Sequence, residues 1–362
     1  MSEIRGGEEV AEQEACLFAM SLVTWAVPFH VVKAIMDLNV FEIIKRSGPT
    51  AQLSAAEIAA QLGTPNPDAA SVLDRMLRLL AAFSVVSSSL RPLSDGGGGS
   101  ERVYGLAPVC KYLTKNEDGA SFAPASFISH DRVLTQVWNN LKDAVVEGGD
   151  KPIFNKTHGM GFFEYMGTDA RFRDGFYQGM RNHTAIVVKK MVGTYKGFGD
   201  LTSLVDVGGG NGDALKMIVS KYPNIKAINF DLPHVIQNAP SYPGVEHVGG
   251  DMYVSVPRAD AIFMKFTMHI ANDEECLRVL KNCHAALPDN GKVIGCEYLV
   301  PDEPEPSLSA KIAYTFDNLM MAVPGGRERT KHEYESLGKQ AGFQAFQLVC
   351  FVCGSCIMEF LK

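Results

Sequence analysis

The chain has 362 residues, 46% hydrophobic and 21% charged, enough for two domains with sizeable cores and unlike an extensively disordered chain. Its net charge of −7, with Lys and Arg scattered rather than blocked, argues against nucleic acid as a partner, because phosphate binding needs a basic footprint. No apolar run is long enough to span a bilayer, the acidic start MSEIRGGEEVAEQE lacks the features of a secretory signal, and the eight cysteines read as reduced thiols of a cytoplasmic protein.

Residues 1–15 read as a loose polar lead. From Ala15 to about Ile44 the chain is apolar at helical spacing, through Leu17, Met20, Trp25, Val31, Ile35 and Leu38. Apolar residues on so many faces predict burial, within a domain or between subunits. Ser54-Ala-Ala-Glu57 has the pattern of a capping box and opens a helix that stops at Gly63. A second helix is expected from Asp68, with Val72, Met76, Leu77 and Leu80 on one face. Two strands follow, near 83–88 and 102–106, joined by a glycine-rich, flexible tip. Helix, helix and ribbon outline a winged-helix module. Its second helix offers Arg75 and Arg78 but no wider basic stripe, which favours a dimerisation role over a DNA-binding one.

Residues 110–195 read as further helices rich in aromatic residues. After Gly199 short apolar strands alternate with helices: strands at 201–207, 225–231, 261–266 and 291–299, helices at 213–221 and 273–287. That alternation predicts a doubly wound parallel sheet of the α/β class. Cys350, Cys353 and Cys356 have a spacing that invites a metal reading, but they fall in one strand-like stretch, where alternate side chains point to opposite faces. No metal is expected there.

A strand running into Gly208-Gly-Gly210-Asn-Gly212-Asp213 brings a ligand close to bare backbone. The dinucleotide fingerprint wants glycines at positions one, three and six, whereas the sixth position here is Asp213. A dehydrogenase is therefore disfavoured. Asp231 ends the next strand, where a carboxylate can accept both ribose hydroxyls of an adenosine cofactor. Asp251 and Met252 close the third strand, positioned for the adenine amino group and ring. Lys265 ends the fourth, on the same edge.

Two residues past the Phe266 strand end lies His269. Glu297 ends the following strand, and Glu328 sits in Pro-Gly-Gly-Arg-Glu-Arg-Thr. Topology can bring all three to the ligand edge of the sheet, so His269 is a candidate base with two carboxylates to orient it. A base so placed can take the proton of a hydroxyl as its oxygen attacks an electrophile. A phenol of pKa about 10 needs its proton removed as it attacks, and an imidazole near 6.5 can do so. Complete prior transfer would be uphill by about 5 kcal/mol, so transfer concerted with attack is favoured. No metal is required.

The segments LVDVGGGNG, NFDLPHVI, GGDMYVSVP, LKNCHAALP and PGGRERT together make the chain resemble the plant small-molecule O-methyltransferases of the caffeic acid and isoflavone type, over nearly its whole length. The resemblance implies S-adenosyl-L-methionine held by Gly208, Asp231, Leu232, Asp251, Met252 and Lys265, with His269 as base bracketed by Glu297 and Glu328. It implies an aromatic acceptor pocket lined by Phe172, Phe176, Met180, His183, Leu319 and Met320. It also implies a homodimer formed through a winged-helix-like domain at 1–115, a helical acceptor-pocket segment at 116–195 and a Rossmann-like methyltransferase domain at 196–362. Two positions depart from the family pattern: Ile270-Ala271 stands where Asp-Trp is usual, and Val323 stands where an Asn usually precedes Pro-Gly-Gly. Those departures raise two other readings, a cofactor-binding isomerase and a catalytically silent dimer partner. A winged-helix regulator is a third reading, which the acidic balance disfavours.

Overall fold

The computed structural model describes residues 2–93, 99–149 and 151–362, with side chains from Glu9 onward. They form two compact units, Met1–Ser126 and Phe127–Lys362.

The first unit is helical with a three-stranded antiparallel sheet of β1 (Leu53–Ser54), β2 (Val86–Pro92) and β3 (Ser100–Leu106), in the order β1-β3-β2. The capping box is present: Ser54 Oγ accepts from the Glu57 amide, the Glu57 carboxylate accepts from the Ser54 amide, and Gly63 ends the helix at φ 63°. The unit closes over Ile35, Phe41, Ile44, Ile58, Leu77 and Tyr104.

Several expectations for this unit are corrected. The polar lead is not loose, because one helix runs from Ser2 to Thr24. Leu17, Met20, Trp25 and Leu38 are exposed in the single chain, so of the two expected modes of burial only that between subunits is left to them, whereas Val31 is partly buried against the core and Ile35 lies inside it. On the helix Ala69–Ala82 the buried stripe is Leu73, Leu77 and Leu80, while Val72 faces out. One helical step separates the two assignments, and the partly buried Met76 fits either. The first ribbon strand starts at Val86, since Ser84 adopts φ 58° and turns the chain there. The expected glycine tip falls mostly on residues 94–98, outside the described residues. Among the described residues no single helix is long and apolar enough to cross a membrane; one pair, Glu9–Thr24 with Ala26–Asp37, passes by length and composition only when its 50° bend is ignored.

The second unit is built on a seven-stranded sheet of β4 (Ser203–Val207), β5 (Lys226–Asp231), β6 (Val245–Gly249), β7 (Ala261–Lys265), β8 (Lys292–Glu297), β9 (Ala345–Val352) and β10 (Ser355–Leu361). The order is β6-β5-β4-β7-β8-β10-β9. The first five strands are parallel, and β10 runs antiparallel between β8 and β9. The terminal antiparallel pair corrects the reading of the cysteine stretch as one strand. Cys350 lies on β9, Cys353 forms the turn at φ 52°, and Cys356 lies on β10.

Alternate residues of each central strand feed opposite layers. Val205, Ile262 and Val293 pack with helices Asp273–Ala286 and Lys331–Ala341, whereas Leu204, Phe263 and Ile294 pack with helices Ala170–Thr194 and Asp213–Lys221. Burial on both faces explains why these strands are unbroken apolar runs. A third cluster of Phe154, Phe162, Phe172, Leu319 and Met320 joins the helical segment to helix Leu308–Ala322. Chain order reverses at β4, with β5 and β6 on one side and β7 and β8 on the other. Such a switch point leaves a crevice at the carboxyl ends of the strands.

Candidate active site

The glycine turn after β4 is shaped by sterics. Gly208, Gly210 and Gly212 adopt φ of 73°, 58° and 82°, values that side chains disfavour. At Gly209 the limit is space: a Cβ would stand 2.1 Å from Asn229 Oδ1 and 2.7 Å from Asp206 Oδ2. Asp231 holds the turn, accepting from the Gly210 amide at 2.8 Å and the Leu232 amide at 2.7 Å. Burial raises its pKa, and those two amides oppose the shift. A carboxylate has about four acceptor positions, so two remain for a ligand hydroxyl pair.

Asp206 was not foreseen. It is buried at the base of the turn, its Oδ2 has no hydrogen-bonding partner among the described residues, and burial pushes its pKa up to about 8. Asn229, also unforeseen, is fully buried and donates to the Gly210 carbonyl at 2.8 Å. Both occupy strand positions where the pattern predicts apolar residues, and that break in pattern was the available signal.

The other expected cofactor residues have their own local partners. Leu232 is exposed. Asp251 accepts from the Tyr253 amide at 2.8 Å, and the Met252 carbonyl accepts from Asn282 at 2.8 Å. Lys265 is half-buried at the end of β7, with Nζ 3.1 Å from Thr184 Oγ1 and 4.3 Å from the Phe266 ring centroid. Burial lowers its pKa.

His269, Glu297 and Glu328 converge. His269 Nδ1 lies 2.7 Å from Glu328 Oε1 and 3.6 Å from Glu297 Oε2. All three are buried, and among the described residues His269 Nε2 has no hydrogen-bonding partner. Glu297 Oε1 also accepts from the amides of Thr267 and Met268, each at 2.9 Å, so it positions the turn carrying the histidine. Burial alone would lower the His269 pKa, but Glu328 and Glu297 more than offset it and hold it above the ordinary histidine value. Burial pushes Glu297 up to about 7, against the attraction of His269. The three side chains offer ligand atoms within 4.8 Å of one another, a spacing that could also hold a metal ion.

Ring packing orients the imidazole. His269 stacks on Phe266 at 5.3 Å and 14°, Phe266 on Tyr298 at 5.1 Å and 18°, and Tyr298 on Phe316 at 4.4 Å and 27°. Phe266 takes a φ of 54°, a strained value for a side chain of that size. Thr267, also not anticipated, links the strand ends: its Oγ1 donates to the Val207 carbonyl at 3.1 Å.

The expected acceptor residues divide into three groups. Phe172 is fully buried against Phe127, Phe162 and Tyr165 and presents no surface. Leu319 and Met320 belong to the same cluster, and Phe176 and Ile270 pack partly buried against it. Met180 is half-buried on the same helix as Phe176. His183 packs on the aromatic stack beside His269, its Nε2 3.4 Å from the Tyr298 hydroxyl and its ring 5.3 Å from Phe266. Burial, then the Lys265 charge, push its pKa down to about 3, so this imidazole is neutral at neutral pH.

Comparison with known proteins agrees with this architecture. An O-methyltransferase domain model matches residues 138–344, and an O-methyltransferase dimerisation domain model matches residues 20–116. O-methyltransferase 13 of Lophophora williamsii is 57% identical over 98% of this chain and 97% of its own. Caffeic acid 3-O-methyltransferase of Prunus dulcis is 56% identical over 98% and 96%. In fold, the chain resembles human N-acetylserotonin methyltransferase in complex with SAM, at a TM-score of 0.78 and 21% identity, covering 96% of this chain and 97% of that one. With a catalytic-domain model spanning more than half its length and relatives matching nearly all of it, the chain belongs to the O-methyltransferase family.

Proposed function

We propose that the chain transfers a methyl group from S-adenosyl-L-methionine to a phenolic hydroxyl of a small aromatic metabolite, with His269 as general base. The observation that carries the proposal is the His269–Glu328 hydrogen bond of 2.7 Å beside the carboxyl end of β7, with Nε2 left without a partner among the described residues. The relatives named caffeic acid 3-O-methyltransferases support a phenolic acceptor.

The residues fit the cofactor. Positive-φ glycines bare the backbone, Asp231 keeps acceptor capacity for ribose hydroxyls, and the orphaned Asp206 oxygen offers a buried polar contact. Gly208, Asp231, Leu232, Asp251, Met252 and Lys265 would hold it. When bound, the sulfonium supplies an electrophilic methyl group. The chain's residues then do the rest. Glu328 fixes which imidazole nitrogen faces outward, and Nε2 takes the hydroxyl proton as the oxygen attacks. Glu297 and Glu328 stabilise the imidazolium that forms. Because those carboxylates already raise the His269 pKa, the proton transfer is less uphill than with an ordinary imidazole.

In this reading Phe176, Met180, Leu319 and Met320 make an apolar acceptor wall, Phe172 supports it from behind, and His183 offers a neutral polar contact. Residues 1–115 form the dimerisation domain of a cytoplasmic homodimer, 116–195 the acceptor-pocket segment and 196–362 the cofactor domain. The exposed apolar residues of the first helices and the matched dimerisation domain support the homodimer. No metal enters the reaction.

Ile270 and Ala271 favour examining a second reading, a cofactor-binding protein that does not methylate. Incubation with methyl-labelled S-adenosyl-L-methionine and a panel of flavonoids, stilbenes, phenylpropanoids and phenolic alkaloids separates the two. Label on an acceptor hydroxyl is expected; normal cofactor binding with no labelled acceptor would select the second reading.

A further inference from the structure

We infer that Arg329 is a positioning residue for the base: its guanidinium clamps the turn carrying His269 against the loop carrying Glu328, and so sets the alignment of that pair. The inference rests on the reading of His269 as the base.

Arg329 is completely buried, the largest of the fully buried side chains. A buried cation is costly unless its donors are used, and here they are spent on one turn. Nη1 donates to the Met268 carbonyl at 2.9 Å, Nη2 to the Ala271 carbonyl at 2.8 Å, and Nε to Asp273 Oδ1 at 2.9 Å. Met268 and Ala271 flank the base on either side. The planar fork thus spans the turn, a geometry that a lysine ammonium does not reproduce.

The backbone around Arg329 is tied in three directions. Its carbonyl accepts from the Val300 amide at 3.1 Å, just past Glu297. The Arg327 amide donates to the His269 carbonyl at 2.9 Å. The Glu328 amide donates to Asp317 Oδ1 at 3.0 Å. Glu328 therefore meets His269 from a segment whose neighbours on both sides are bonded to the histidine's own turn. Placement errors of about 1 Å can cost roughly a hundredfold in rate, so such a clamp has catalytic weight without touching substrate.

The test is a double-mutant cycle of Arg329→Lys and His269→Ala, with Asp273→Asn as a milder lesion that leaves the buried arginine in place. Arg329→Lys is expected to lower kcat about tenfold to a hundredfold, with acceptor KM and cofactor Kd nearly unchanged. In the His269→Ala background the same substitution is expected to have no further effect on kcat. Asp273→Asn should shift kcat in the same direction by a smaller factor, again without a change in KM, and reports even where Arg329→Lys does not fold. Wild-type kcat in Arg329→Lys, an equal loss in both backgrounds, or a loss appearing in KM or cofactor Kd would overturn the clamp and leave the base assignment intact. Full turnover in His269→Ala alone would instead remove the base, and the clamp with it.

Discussion

The amino-terminal helices and the catalytic centre break the same rule in opposite directions. Between Val10 and Phe29 the chain exposes Leu17, Phe18, Met20, Leu22, Val23 and Trp25, with Phe18 62% and Val23 84% exposed. Between Phe266 and Arg329 it buries His269, Glu297, Glu328 and Arg329. Apolar surface left in water and charge taken out of water are each costly, and the two regions are stabilised differently. The buried groups are satisfied within the chain: His269 pairs with Glu328 at 2.7 Å, Glu297 accepts a backbone amide at 2.9 Å, and Arg329 donates to a backbone carbonyl at 2.8 Å and to Asp273 at 2.9 Å. The apolar surface finds no such partner within its own unit, as expected of a face that another copy covers. Burial is inverted in both places, but only the buried polar cluster is satisfied within one chain.

The sharpest way to break this contrast is His269→Ala. It should lower kcat by about a hundredfold or more, with little change in cofactor affinity, as measured by steady-state turnover and equilibrium binding. Undiminished turnover would mean that the buried charges are structural. Next in size is Phe18→Asp, which removes an exposed aromatic worth about 1.5–3 kcal/mol if another copy covers it. Dimer dissociation should become roughly tenfold to a hundredfold easier, read by sedimentation at several concentrations. An unchanged association constant would leave that surface without its proposed occupant.

A smaller effect concerns pH. His269 must be neutral to accept a proton, so kcat/KM should rise with pH through its pKa, and the raised pKa places that rise above 6.5. Glu328→Gln removes one of the two charges raising it, so the rise should move to lower pH while the plateau falls about tenfold through lost orientation. A rise that stays in place would disconnect Glu328 from the base. Least of all should happen on dialysis against a chelator, which is expected to leave turnover unchanged. Loss restored by a divalent ion would reassign His269, Glu297 and Glu328 as metal ligands.

How much of this was legible beforehand depended on whether a feature is local. Capping at Ser54, the stop at Gly63 and the helix Asp213–Lys221 follow from residues within one turn of one another, and they appear as read. The approach of His269 to Glu297 was also legible, because strand ends in a parallel sheet share an edge, whereas Glu328 arrives on a loop that the strand order does not fix. Features set by distant partners were not. The roles of Asp206, Asn229, Thr267 and Arg329 depend on bonds to residues nineteen or more positions away, or on the crowding beneath Gly209. For the first helices apolar composition signalled burial without saying by whom, and Leu17, Met20 and Trp25 are exposed in the single chain while Ile35 is buried within it. The cysteine stretch misled because a hairpin turn at Cys353-Gly354 carries no proline or Asn-Gly signature.

One glycine limits how this catalytic centre can diversify. A methyl group placed at Gly326 would lie 2.0 Å from the His269 carbonyl oxygen and 2.5 Å from the Ile270 carbonyl carbon, both backbone atoms that no rotamer change can move aside. The two positions that depart from the family pattern lie beside this contact, Ile270 partly buried and Val323 3% exposed in the cluster of Phe154, Phe172 and Leu319. Any side chain at position 326 would therefore push apart the turn that carries His269 and the loop that carries Glu328.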